Sequence, residues 1–237
     1  MAEWAQKRFW TEVGIGEAAE GFEVLLDGRK VKTPAKSALA LPTRPMAEAV
    51  AAEWVAQEEI VNPLSMPVTR SANAAIDKVT PQFGEVARLI AEYGDSDLLC
   101  YRADAPQTLV GRQAEGWDPV LGWAEVTLGA RLIVVSGVIH QAQPPEALSE
   151  LRRRVDGFSP FELTAVHDLV GLSGSLLLGI AVVEEYLTAE RAWDLSRIDE
   201  AFQIEQWGQD AEEQDATELR RSAFLNAAEF YRLSRNG

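Results

Sequence analysis

Two histidines, one cysteine, a serine between glycines and a run of carboxylates are the side chains in this sequence that could do chemistry. His140 precedes Gln141-Ala142-Gln143-Pro144-Pro145, a loop-like stretch. His167 falls on a predicted helix beside Asp168, which helical spacing puts on a different face. Leu163, Thr164, Val170 and Gly171 stand one turn away, and none is a usual zinc ligand. Zinc asks for three or four ligands with two of them closely spaced, so no metal is expected at either histidine. The lone Cys100 excludes an intrachain disulfide framework and fits a reducing compartment. Gly171-Leu172-Ser173-Gly174 resembles part of a nucleophile elbow. Ser175, however, stands where the second glycine belongs, and a helix rather than a strand leads in. Close helix packing over small residues is the better reading, and no catalytic residue is assigned. Gly14-Ile15-Gly16 has neither a third glycine nor a helix pattern behind it and reads as a turn. With no phosphate-binding motif elsewhere, no cofactor is expected.

The carboxylates are harder to dismiss. From Glu184 to Glu218 twelve acids (Glu184, Glu185, Glu190, Asp194, Asp199, Glu200, Glu205, Asp210, Glu212, Glu213, Asp215, Glu218) face two arginines, Arg191 and Arg197. Such a run could be general acid–base machinery, a solvated helix face, or a surface that steers a basic partner. Phe202, Trp207 and Gly208 interrupt it. Aromatic anchors among charges are typical of interface hot spots. Spacing alone nevertheless favours Trp207 as a core residue at a helix junction, with Gly208 as its left-handed terminator.

The elements that must position these groups divide the chain in two. Residues 9–13, 22–26 and 29–33 read as strands, the last two joined by Asp27-Gly28, a strong hairpin signal. Residues 38–41 could add a strand. A helix over 45–57 follows, capped by Thr43. Asn62-Pro63-Leu64-Ser65-Met66-Pro67 then reads as a linker. Beyond it helices are predicted over 69–78, 81–93, 107–127, 145–155, 160–172, 175–187, 189–207 and 210–233, with one short strand over 131–135. Ser159 and Glu162 form a capping-box signature. The expected class is α+β: a small β-rich N-terminal domain with a closing helix (1–62), then a mainly helical C-terminal domain (63–237).

Composition sets the outer bounds. The 237 residues are 47% hydrophobic and 25% charged, enough for a sizeable core. Net charge is −15, from 37 acidic and 22 basic residues, which disfavours nucleic acid and anionic membranes. The 15-residue apolar run 169–183 is too short for a bilayer span and reads as a buried helix. Residues 1–16 show no apolar leader, so a cytoplasmic location is expected.

An ordered set of segments adds a resemblance. They are Arg8-Phe9-Trp10; Leu26-Asp27-Gly28-Arg29 with Val31-Lys32-Thr33-Pro34; Met66-Pro67-Val68-Thr69 and Ala72-Asn73-Ala74-Ala75-Ile76-Asp77; Asp97-Leu98-Leu99-Cys100-Tyr101-Arg102; Gln113 with Trp117-Asp118-Pro119; and Gln203, Glu205 and Trp207-Gly208 with the acids behind them. Together the sequence resembles the assembly chaperones that handle the α subunit of the F-type ATP synthase catalytic head. The resemblance implies a two-domain, non-enzymatic protein that holds the free α subunit soluble until ring assembly, with no nucleotide or metal. It implies partner binding at Glu205, Trp207, Gly208, Glu212 and Asp215. It also implies a bacterial cytoplasmic member, because eukaryotic relatives are mitochondrial and carry a transit segment. A monomer is expected. Two other readings are a hydrolase or isomerase using carboxylates with His140 or His167, and a permanent structural subunit.

Overall fold

The computed structural model describes residues 7–208 and 211–235. They form two compact units. The first takes the residues up to Phe83, Ser159–Ala165 and those from Glu229 on; the second takes Gly84–Phe158 and Val166–Ala228. Small antiparallel sheet first and helices after it make the chain α+β, as expected from its periodicity.

In the first unit β1 (Val13–Ala18), β2 (Gly21–Leu26) and β3 (Arg29–Lys30) pair antiparallel in that order. Val13 lies opposite Leu26 and Leu25 opposite Lys30. Asp27 (φ 48°) and Gly28 (φ 75°) turn the hairpin with positive φ at both central positions, the twist-matched geometry that Asp-Gly favours. Two expectations shift by a few residues. Gly14-Ile15-Gly16 is strand and not turn, because Gly14 and Gly16 pair with Leu25 and Glu23 of β2. Residues 9–12 are not strand: Trp10 is buried instead, edge-on to Trp54 at 5.1 Å. The predicted strand over 38–41 reduces to single bridges, Lys32 to Ala38 and Phe22 to Leu41. The second bridge explains Gly21, whose φ is 98°; a Cβ there would stand 2.1 Å from the Leu41 carbonyl oxygen.

Helix α1 (Arg44–Val55) starts where its cap was read, with the Thr43 hydroxyl accepting from the Met46 amide at 3.2 Å, and it buries Met46, Ala47 and Val50. The expected boundary after residue 62 falls inside this unit. Glu53 reaches forward and accepts from the Val68 and Thr69 amides at 2.7 and 2.8 Å, serving as the cap of α2 (Pro67–Ala74). Thr33 likewise donates to Asp77 at 2.7 Å. Residues 62–67 are an ordered 3-10 turn, Pro63–Ser65, with the Asn62 side chain accepting from the Leu64 amide.

The remaining helices are α3 (Phe83–Glu92), α4 (Gln107–Trp123), α5 (Pro145–Asp156), α6 (Pro160–Ser173), α7 (Leu176–Val183), α8 (Ala189–Ser196), α9 (Ile198–Trp207) and α10 (Ala211–Arg235). The capping box opens α6 as read: the Ser159 amide donates to Glu162 at 2.7 Å, and the Glu162 amide donates back to the Ser159 hydroxyl at 3.3 Å. The predicted strand over 131–135 is a two-residue parallel pair, β4 (Tyr101–Arg102) with β5 (Val135–Ser136). Residues 189–207 were expected as one helix, but the chain breaks at Arg197 (φ −111°, ψ 13°), where the Ser196 hydroxyl bonds back to the Trp193 carbonyl. The apolar run 169–183 spans two helices, as the separate ranges 160–172 and 175–187 anticipated, with α7 ending early at Val183. Gly174 (φ 73°) ends α6, and Gly179 lets α7 approach Val170 so closely that a Cβ would be 2.8 Å from it. Ser173 spends its buried hydroxyl on the Leu169 carbonyl at 2.7 Å, so it is a helix-end residue and no nucleophile. No helix among the described residues is long and apolar enough to cross a membrane.

At this break lies the fully buried carboxyl of Asp97. It accepts from the Ser175 hydroxyl (2.7 Å), the Leu177 amide (3.0 Å) and the Leu99 amide (3.0 Å), capping α7 and the 3-10 turn Leu98–Cys100 together. Burial pushes it up to about 6 against the pull of these donors. Cys100, next to it, is also fully buried, and burial with the Asp97 charge lifts its thiol to about 12.

Two outcomes are expected. Since the folded state keeps the Asp97 proton to higher pH than the unfolded chain, the wild type should lose stability as pH rises from about 4 to about 6, then level off. The loss is about 3 kcal/mol, two decades of proton affinity. In urea melts, the stability difference between wild type and Asp97→Asn should shrink across that window; a pH-independent difference would show that the hydrogen bonds hold the carboxylate ionised throughout. Gly21→Ala should lower stability by more than 1 kcal/mol in the same melts, since positive φ and the Leu41 carbonyl both oppose a side chain.

Candidate protein-binding surface

The residues singled out for partner binding sit at the end of α9 and the start of α10. Positioning begins on α4, where Gln113, Gly116 and Trp117 share a face at helical spacing. Gln113 is buried, takes the Ala103 amide at 2.9 Å and donates to Asp199 at 2.6 Å. The Trp117 indole donates to the Leu195 carbonyl at 2.8 Å. Gly116 lets this face close on the α8–α9 corner, since a Cβ would meet Ile198 at 2.7 Å. One residue earlier, Arg112 lies over the Phe202 ring at 5.4 Å and forks onto Glu205 with both nitrogens, at 2.8 and 2.7 Å. Arg112 holds the Glu205 carboxyl below its ordinary range, and Glu205 raises the Arg112 guanidinium in return. Both are solvent-exposed, so the fork orients α9 more than it stabilises the fold.

Phe202 is buried under this arrangement, whereas Trp207 is 80% exposed. That overturns the expectation of a core tryptophan. Phe202 faces α4 and fills the junction, while Trp207 lies five residues on, toward solvent. Gly208 closes α9 with its amide on the Ile204 carbonyl at 2.8 Å. Its φ of 83° is positive as expected, but its ψ of 173° sends the chain onward extended and is not left-handed helical. Glu212, Asp215 and Leu219 on α10 are exposed, Leu219 at 74%. Gln209 and Asp210 lie outside the described residues. Arg112 and Asp199 were not assigned roles from sequence. The one available signal was the Gln113–Trp117 spacing on α4, since 93 residues separate Arg112 from Glu205.

The histidines do not assemble an acid–base site. His167 contacts Asp168 after all, with Nδ1 2.9 Å from the carboxylate, because the two side chains lean together across adjacent helical positions; Asp168 raises the imidazole's proton affinity. His140 meets the Tyr101 hydroxyl at 3.1 Å and Asp95 at 3.4 Å. Each histidine has one acid in reach, not two. Among the described residues no His, Cys, Asp or Glu cluster could hold a metal ion.

Comparison with known proteins places this geometry. Residues 7–125 match the family model described as ATP12 chaperone protein. The crystal structure of Atp12 from Paracoccus denitrificans superposes with a TM-score of 0.95 at 50% identity, covering 98% of this chain and all of that one. A point mutant of the same P. denitrificans protein gives 0.95 at 49% identity, over 99% and 100% of the two chains. The protein named atp12, mitochondrial, of Schizosaccharomyces pombe is 26% identical over 244 residues, covering 93% of this chain and 81% of the yeast protein. The chain thus belongs to the ATP12 chaperone family, the ATP synthase assembly chaperones that its sequence resembles, and is a chaperone and not an enzyme.

Proposed function

We propose that this chaperone binds the free α subunit of the F-type ATP synthase catalytic head, as a monomer in the bacterial cytoplasm and without a cofactor, and shields its subunit interface until the ring assembles. The observation that carries the reading is Trp207, 80% exposed at the end of a helix held in place by the Arg112–Glu205 fork. A tryptophan can bury 150–250 Å², worth several kcal/mol at the usual ~25 cal/mol per Å², and here that area is left for a partner. Glu205, Gly208, Glu212 and Asp215 stand close to it in sequence, so the exposed ring lies in an acidic stretch of the chain.

The physical logic supports the assignment. A subunit waiting for assembly exposes an apolar interface that aggregates unless covered. Its cover has to leave when the true neighbour arrives, so one or two anchors with electrostatic steering suit the task better than a large dry interface. A net charge of −15 raises the encounter rate with a basic surface and contributes less to residence time. The single cysteine, buried as a thiol, fits a reducing compartment.

In pull-downs and surface-binding kinetics with the purified α subunit, Trp207→Ala with Glu205→Ala should weaken capture by about 2 kcal/mol, roughly thirtyfold. Its thermal melt should stay within about 0.5 kcal/mol of wild type, because both side chains are exposed. Unchanged capture would remove this surface from the proposal. Raising the salt from low to about 1 M should slow association roughly tenfold and leave dissociation nearly unchanged; a salt-independent on-rate would eliminate steering.

A further inference from the structure

The second unit carries another unpartnered apolar feature, distant in sequence from Trp207. After α4 and a π turn (Ala124–Leu128), Gly129 in left-handed conformation leads into an irregular segment over residues 131–139, strand only at Val135–Ser136 and bent at Gly137 (φ 83°). Four of its side chains are apolar and exposed: Ile133, Val134, Val138 at 93% and Ile139 at 83%. Only the two-residue ladder of β5 with β4 gives this stretch regular pairing, yet it is pinned. The buried Gln143 accepts from the Ile133 amide at 2.7 Å, donates to the Ile133 carbonyl at 3.0 Å and hangs its own amide on Asp95 at 2.8 Å. A side-chain amide thus plays the part of a neighbouring strand at Ile133, and the Gly137 amide adds a bond to the Arg102 carbonyl at 2.8 Å. Holding exposed apolar side chains on a pinned backbone has no folding benefit; it does remove the ordering cost of receiving a ligand.

The charges around the strip indicate what the ligand is. A groove of about 550 Å³ runs between residues 129–134 and the start of α5, lined by Ile133, Val134 and Glu146. Asp104 lies beside the other end, its carboxylate 3.7 Å from where a Gly137 Cβ would be. Among the described residues neither Glu146 nor Asp104 has an ion-pair partner. The one cation on the strip, Arg131, is met by Glu125 at 3.7 Å, and His140 is met by Asp95. Exposed apolar side chains thus recur along the segment with one acid lacking an ion pair near each end, Glu146 and Asp104, and Arg131 in the same groove as Glu146 already answered by Glu125. A second copy of this chain would bring the same acids and be repelled.

We infer that residues 131–139 form a docking strip for an extended apolar segment of the client subunit flanked by lysine or arginine. It is a second contact that works with the Trp207 surface and rests on the client-binding reading above. Docking of an extended segment on a pinned apolar surface is an established recognition mode: its alternate side chains meet apolar contacts while flanking charges fix the register.

The test uses the full chain and two probes. The first is a fluorescent peptide of alternating Val and Ile flanked by lysines, with a glutamate-flanked version as control. Anisotropy should show the lysine-flanked peptide binding wild type, with affinity reduced about tenfold or more in Val138→Asp/Ile139→Asp. Asp104→Lys/Glu146→Lys should reverse the preference between the two peptides. All four positions are exposed or lie at the groove rim, and circular-dichroism melts verify that the variants fold. Equal binding of both peptides by wild type, no binding, or binding unaffected by the Val138/Ile139 substitutions would overturn the strip. The second probe is the purified α subunit. Failure of wild type to capture it would sink the proposed client while leaving the peptide result to judge the strip. Loss of capture in Val138→Asp/Ile139→Asp alongside loss of peptide binding would join the two.

Discussion

One buried carboxyl organises the helical unit. Asp97 belongs to a short irregular segment, yet it caps a helix whose second residue lies eighty positions later, and among the described residues it does so without an ion pair. Its donors are two backbone amides and a hydroxyl, all of which would be unsatisfied in that apolar break without it. From this anchor the chain leads outward in two directions. Arg102 turns back to the Leu99 carbonyl, lies over Trp117 and pairs with Asp118, which fixes α4 and through it Arg112, Gln113 and the α8–α9 corner. Tyr101 and Arg102 also supply the two-residue ladder beneath the 131–139 strip. Both proposed client surfaces are referred to the same buried group.

Legibility in the sequence followed the range of the interactions. Asp27-Gly28, the Thr43 cap and the Ser159–Glu162 box are contacts within a few residues, and each stands where its residues place it. The break at Arg197 left no mark because no Gly or Pro makes it; a serine hydroxyl bonding back to a carbonyl does. Gly14 and Gly16 resemble punctuation, yet what decides them is the pairing of β1 with β2. Trp207 is the sharpest case. Its spacing from Phe202 is compatible with burial of either ring, and only the position of α4, set by Gly116 and Gln113, decides that Phe202 is the one covered. Sequence marked this stretch correctly as unusual and chose the wrong side for its aromatic.

The two proposed client surfaces share a character: each is a few exposed apolar side chains, far apart in sequence, with acids close by in the chain. A single large apolar face would hold a client more tightly, at the risk of self-association and slow release. Distributing contact over an anchor and a strip permits capture through the sum of two weak sites while either can be displaced first. A chaperone displaced by its client's own partner needs that asymmetry between arrival and departure.

The single thiol has one more implication. Cys100 is fully enclosed, and its deprotonation is suppressed across the whole physiological pH range. With its single thiol enclosed, the native fold presents no thiol through which oxidation could cross-link it to itself or to a cysteine-bearing client. The same insulation makes the native chain a ready background for attaching a reporter through one introduced surface cysteine, beside Trp207 or on the strip, with the resident residue left in place.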